Sequence, residues 1–105
     1  MVSVPQQGEI WWAEAADKRR PVLVVTRNET IPVLSSITVA PVTRTARNIP
    51  TEIALGTRHG LSADCAATFD NIQPIRRASL TTRVGRLDID ELEEICRAIR
   101  ALTDC

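Results

Sequence analysis

Apolar and polar positions follow a period of two through most of this chain and switch to a period near 3.6 only at its end. The first strand expected is Gly8 to Glu14, and it carries both tryptophans. Adjacent Trp11 and Trp12 must point to opposite faces, so one fills a core and the other stays at least partly outside it. Residues 21–27 form a second strand whose apolar character is almost continuous, the mark of a central strand covered on both faces. Further strands are expected over Ser36–Val42, Thr51–Leu55, Asp64–Phe69, Asn71–Ile75 and Arg83–Leu87. Gly56 and Gly60 punctuate the link between the fourth and the fifth. Short strands at this spacing predict a small barrel or a strongly coiled sheet.

From residue 88 the period changes. Ile89, Leu92, Ile95, Cys96, Ile99 and Leu102 make one apolar stripe of a helix that packs on the barrel. Asp88 and Glu91 are spaced as a capping pair, and Glu93 stands four residues before Arg97. The fold class is therefore mainly β with a C-terminal helix. At 105 residues there is room for one domain with a single modest core.

Charge changes the picture more than composition does. The formal net charge is zero, yet residues 1–87 hold 11 Lys and Arg against 7 Asp and Glu, and residues 88–105 hold 2 against 6. The sheet is basic and the helix acidic, so neutrality hides a polarised molecule. Lys18, Arg19 and Arg20 are expected just before the Pro21 strand, where Pro21 fixes its own φ and holds Arg20 extended. Arg20 is then a guanidinium on a stiff mount at the mouth of the sheet, suited to a bidentate grip on phosphate. No segment approaches the roughly 20 apolar residues of a membrane span, and the first residues lack the make-up of a signal peptide. Cys65, Cys96 and Cys105 show no metal spacing and there is one histidine, so neither metal nor cofactor is expected. Cys65 and Cys96 are expected in the core, and the thiols fit a reducing cytoplasm.

Three segments carry a resemblance: Gly8-Glu-Ile-Trp-Trp12, Arg20-Pro-Val-Leu-Val-Val-Thr-Arg-Asn28, and Ala40-Pro-Val-Thr43 followed by Ile49-Pro-Thr-Glu52. Asp70-Asn71, Val84-Gly-Arg-Leu87 and the closing helix complete it. In order and spacing the chain resembles the MazF/PemK family of toxin endoribonucleases across essentially its whole length. The resemblance implies an SH3-like barrel, a homodimer, cleavage of single-stranded RNA at short sequences, and silencing by a cognate antitoxin. It implies Arg20 and Thr43 as the catalytic pair of the MazF branch and Asp70 as the aspartate on which the PemK branch leans. That branch has an arginine two residues before the aspartate; here the position is Thr68. The loop Ala15–Arg19 is shorter than in many relatives, which bears on substrate gating.

The implied chemistry is attack of an RNA 2′-hydroxyl on the adjacent phosphate. Arg20 suits stabilisation of the phosphorane and, with a pKa above about 12, is a poor base. Thr43 can donate its hydroxyl to a non-bridging oxygen or orient the nucleophile. Asp70, Glu14 and water stand as proton acceptors. Arg19, Arg44, Arg47, Asp70 and Asn71 are the candidate RNA contacts, while His59 between its glycines reads as an ordinary loop residue. Trp12 is placed either against a base or in an interior or dimer contact. The expected antitoxin segment is disordered, acidic and apolar, complementary to the basic groove. Two rivals share the fold: a gyrase-poisoning toxin of the CcdB type, and a catalytically inactive RNA-binding relative.

Overall fold

The computed structural model describes residues 4–15 and 18–103. Seven strands are present: β1 (Glu9–Ala15), β2 (Lys18–Val24), β3 (Ser36–Thr43), β4 (Glu52–Leu55), β5 (Cys65–Thr68), β6 (Gln73–Arg76) and β7 (Leu80–Arg86). They form one coiled sheet in the order β4-β5-β3-β2-β1-β7, with β6 pairing the first half of β3. The single α-helix, α1, spans Glu93–Thr103 after a 3₁₀ turn at Ile89–Glu91.

All the strand pairs are antiparallel, and the sheet carries apolar side chains on both faces. One face holds Ile10, Leu23, Ala40, Val42, Ile53, Ala67 and Phe69 and receives Ile95 and Ala98 of α1. The other holds Trp11, Ala13, Val22, Val24 and Val39 and is covered by Ile31, Ile37 and Leu80. This explains the unbroken apolar run at the end of β2, where Val22, Leu23 and Val24 are buried together with the following Val25.

β4 and β7 are the edges of the sheet, so the barrel is not closed by strand pairing. It is closed by the β4–β5 link. A Cβ on Gly85 of β7 would come within 1.9 Å of the His59 carbonyl oxygen, so only a glycine lets these two backbones touch. Gly60 follows at φ +89, the left-handed turn that ends the 3₁₀ segment Thr57–His59.

Several boundaries differ from expectation. β2 begins at Lys18 because residues 18–20 already pair with β1, Glu14 opposite Arg19 and Ala13 opposite Arg20. The basic triplet is thus part of the strand, not a loop in front of it. β7 begins at Leu80, extended by Thr81 and Thr82 along β1. The helical stripe is narrower than its apolar letters suggest: Leu92, Ile95, Ala98 and Leu102 face the barrel, while Cys96 is exposed and Ile89 is 82% exposed. Ile89 lies in the 3₁₀ turn, before the helix proper, and Cys96 is rotated about 100° from the buried Ile95. Cys65 is buried as expected. Arg97 bonds Glu94 at 2.6 Å, not Glu93, and also donates to the Pro50 and Glu52 carbonyls at 2.7 and 3.0 Å. It ties the helix to the chain entering β4. The centre of the β1–β2 connection and Cys105 lie outside the described residues.

Candidate active site

The site is built where β2 and β3 part, while β5 flanks β3 on its opposite edge. Val22–Pro41 is the last β2–β3 pair, and from Val42 onward β3 pairs with β5, Val42 opposite Ala67 and Thr43 opposite Ala66. Continuing the β2–β3 register two residues past Val22–Pro41 brings position 20 opposite position 43. Strand alternation puts Arg20, Pro41 and Thr43 on the face of Val22 and Val39. Across β5 and β4 that same face carries Ala66, Thr68, Ala54 and Glu52. The expected pair Arg20 and Thr43 is therefore brought to one face at one gap in the sheet.

Arg20 is exposed and has no hydrogen bond or ion pair among the described residues. Its charge is available to a ligand. Thr43 is half-buried, and its Oγ1 accepts a long 3.3 Å hydrogen bond from the Thr45 amide, leaving the hydroxyl proton free to donate. Arg44, next along, is exposed and equally unpaired among the described residues.

Alternation separates Arg19 from Arg20. Arg19 lies over the Trp12 ring, 4.4 Å from its centroid, on the opposite face, a cation–π contact that shields an otherwise half-exposed indole. Trp11 is the tryptophan that fills a core, only 4% exposed, and its Nε1 donates to Glu9 Oε1 at 3.0 Å. Glu14 pairs with Arg19 in the register and so also faces away from Thr43. Asp70 and Asn71 sit in the 3₁₀ turn after β5, both exposed. Asp70 Oδ2 accepts from Thr51 Oγ1 at 2.6 Å. Asp70 stands four residues beyond Ala66, at most about 13 Å at strand rise, so Asp70 is a neighbour of the gap and does not line it.

Sequence reasoning missed Glu52. Its carboxylate is buried under the β3–β4 loop: Oε1 accepts from the Arg47 amide at 2.8 Å, and Oε2 lies 4.0 Å from Arg47 Nε. Its cross-strand partner is Thr68, and Glu52 Oε2 and Thr68 Oγ1 are both buried without a hydrogen-bond partner. Glu52 thus pins the loop that carries Arg44 and Arg47 over the outer face of β4 and β5. The sequence signal was a lone charge in an otherwise apolar strand, Glu52-Ile-Ala-Leu55.

His59 departs from its expected loop role. It is 3% exposed, its Nδ1 accepts from the Gly56 amide at 3.1 Å, and its Nε2 meets the Glu91 carboxylate at 3.1 and 3.2 Å. Arg58 reaches the same carboxylate, and Glu91 Oε1 accepts the Asp88 amide at 2.9 Å, completing the capping contact read from the sequence. Burial opposes charge on Glu91, but the Asp88 amide, the His59 ring and Arg58 together hold its pKa below the ordinary carboxylate value. The cluster bolts the β4–β5 link to the helix entrance and is structural. Burial, reinforced by the Asp64 carboxylate, pushes the Cys65 thiol up, so it stays protonated and is no nucleophile. Among the described residues no three His, Cys, Asp or Glu side chains converge as metal donors.

Residues 6–103 match the family described as PemK-like, MazF-like toxins of type II toxin-antitoxin systems, and the chain belongs to that family. It is 35% identical over 101 residues to the probable endoribonuclease MazF2 of Mycobacterium tuberculosis, covering 95% of this chain and 99% of the relative. It is 36% identical over 107 residues to the probable endoribonuclease MazF5 of the same organism, covering 100% and 98%. Among solved structures, the M. tuberculosis toxin MazF-mt6 superposes with a TM-score of 0.84 at 34% identity, covering 91% of this chain and 96% of that one. A mycobacterial endoribonuclease in complex with its cognate antitoxin shares the fold, with a TM-score of 0.81 at 22% identity and 95% of each chain covered.

Proposed function

We infer that this chain is the toxin of a type II toxin-antitoxin pair and an endoribonuclease that cuts single-stranded RNA selectively at short sequences. The observation that carries the reading is the exposed Arg20, without a partner among the described residues, on the same sheet face as Thr43 where β2 and β3 part, on the basic half of a family fold. Arg20 takes the non-bridging oxygens as charge builds on the phosphorane, and Thr43 donates to the same group or holds the 2′-hydroxyl in line. The nucleophile is the RNA's own 2′-oxygen. It bonds to phosphorus, the bond to the 5′-oxygen breaks, and the products are a 2′,3′-cyclic phosphate and a 5′-hydroxyl. Glu14 faces away from Thr43 and Asp70 lies beyond the gap, so water takes the 2′-hydroxyl proton and supplies one to the departing 5′-oxygen. Arg44 and Arg47, on the loop beside Thr43, make phosphate contacts, with Asp70 and Asn71 further along the strand.

The names of the relatives, endoribonucleases in each case, favour this reading over a gyrase-poisoning toxin. Its partner is a cognate antitoxin whose acidic, apolar tail suits unpaired Lys18, Arg20 and Arg44. The working form is a homodimer. Ile89 and Ile99 leave an apolar band on the helix side, and Val33 and Leu34 leave a second on the loop before β3, surfaces a two-fold copy would cover. No helix among the described residues is long and apolar enough to cross a membrane, and an RNA substrate places the work in the cytoplasm.

The test is product mapping on a defined single-stranded RNA. Cleavage should persist in excess EDTA and leave a cyclic or 3′-phosphate upstream. A 2′-deoxy substitution at the scissile nucleotide should block it. Cutting of the deoxy-substituted RNA would sink the mechanism, and an inert protein would sink the function.

A further inference from the structure

We propose that the cavity between the β3–β4 loop and the β4–β5 link is a guanine-binding pocket for a substrate nucleotide next to the cut, with Asp64 and Asn48 reading its edge. The proposal rests on the endoribonuclease reading above and names which base it selects.

The cavity is a solvent-open cleft of about 500 Å³, ample for one nucleobase, lined by Ala46, Asn48, Ala54, Thr57, Asp64 and Cys65 among others. Ala54 stands opposite Ala66, which stands opposite Thr43. Two strand spacings, about 10 Å, therefore separate the pocket floor from the catalytic threonine. That is one to two nucleotide steps, so a base seated here belongs to a residue flanking the scissile phosphate. The alanine floor presents a flat apolar surface to a ring. Single-stranded RNA can splay a base into such a slot with its Watson–Crick edge exposed.

Two polar groups in this pocket are uncommitted. Asp64 has no hydrogen bond or ion pair among the described residues. Its Oδ1 leans over Gly56, where even a Cβ would stand only 3.0 Å away, so the absent side chain leaves the carboxylate room. Asn48 has no side-chain partner among the described residues either, and its φ of +54 is a left-handed turn conformation that asparagine readily adopts. By contrast, Arg58 in the same wall is spent on Glu91 and Asp88. A carboxylate accepts and cannot donate, so it selects a base edge rich in N–H groups. Guanine offers N1–H and N2–H side by side to one carboxylate, and its O6 accepts an N–H from the Asn48 amide. Cytosine and adenine offer only an amino group on that edge, and uracil a single imino N–H.

The experiment is cut-site sequencing on a randomised RNA pool, followed by rates on a single oligonucleotide in which the flanking guanine is replaced by inosine, which lacks the N2 amino group. Wild type should show guanine enriched within two nucleotides of the cut. It should cleave the inosine RNA about ten- to a hundred-fold more slowly, the range for one lost charge-assisted hydrogen bond. Asp64→Ala should cut both RNAs at similar rates, erasing that ratio. Because the inosine comparison uses unmodified protein, a folding defect in the variant cannot produce it. Cutting without guanine enrichment, or equal wild-type rates on guanine and inosine, overturns the pocket while leaving the ribonuclease reading intact. A preference for cytosine or adenine there overturns the guanine assignment. A wild-type protein that cuts no RNA removes both.

Discussion

Replacing Arg20 by alanine tests the catalytic reading with little interference from stability. The side chain is exposed and holds no hydrogen bond or ion pair among the described residues, so its loss should change unfolding free energy by no more than about 0.5 kcal/mol. In the transition state the same guanidinium meets a phosphorane whose equatorial oxygens carry growing charge. Loss of one preorganised donor of this kind costs about 10²–10³ in rate, or about 2.7–4 kcal/mol. Ground-state binding should suffer less, since one phosphate contact among several is lost. The slope of log affinity against log salt should fall by about one. Arg20→Lys should recover the salt slope and little of the rate, because a point charge cannot reproduce the two-pronged geometry. The assay is single-turnover cleavage of an end-labelled RNA at saturating protein, with thermal melts and fluorescence-anisotropy titrations in parallel. An Arg20→Ala protein that cuts within about threefold of wild type at saturation refutes the assignment, whatever its affinity.

Glu52→Ala should cost about 1–3 kcal/mol in urea unfolding, because the Arg47 amide loses its acceptor and the buried side-chain volume is vacated; faster hydrogen exchange at the Arg47 amide would locate the damage in the β3–β4 loop. Glu91 titrates below its unfolded value near 4.5, so its contribution is complete above that pH and disappears as pH falls through the lower folded value. Glu91→Gln should flatten this acid limb of the stability curve, and an unchanged limb would contradict the His59–Glu91 bolt. Gly85→Ala should destabilise by about 1–3 kcal/mol or prevent folding, since the new methyl meets the His59 carbonyl; a melt equal to wild type would show that the link does not close the barrel.

Period-two alternation located every strand, because each has one or both faces in a core. It misplaced strand starts where the pairing residues are polar. Lys18 to Arg20 pair β1 without burying anything, and Thr82 does the same in β7. Hydropathy has no signal for a strand held by backbone bonds alone. Cys96 was placed in the core for the converse reason: counting apolar letters widened the helical stripe, while the real contact centres on Ile95 and the small Ala98. His59 and Glu52 were illegible because their roles depend on partners brought by folding. Glu91 is 32 residues from His59 in the chain. Glu52 is defined by a loop folding back over its own strand. Arg20 and Thr43 are legible only through resemblance; alternation along β2 and β3 leaves them on one face of the sheet. It also separated Arg19 from Arg20, neighbours in sequence that a strand must turn to opposite faces.

The location of the gap follows from two prolines. Past Val22–Pro41, the next β2–β3 pair would set Pro21 against Val42, and Pro21 has no N–H to give. Pro41 likewise brings no donor to the end of the ladder. The strands can therefore separate here without stranding a proline N–H, while β5 holds Val42 and Thr43 along the opposite edge of β3. Residues 18–21 of β2 then pair on the β1 side alone, leaving an open backbone edge along the gap. Pro21 also holds Arg20 extended, so the residue that ends the ladder sets the direction of the cation beside it. A gap with a fixed guanidinium on one bank and a hydroxyl on the other suits a phosphodiester running along it. An intact ladder at this point would fill that space with backbone hydrogen bonds and leave the substrate no entry.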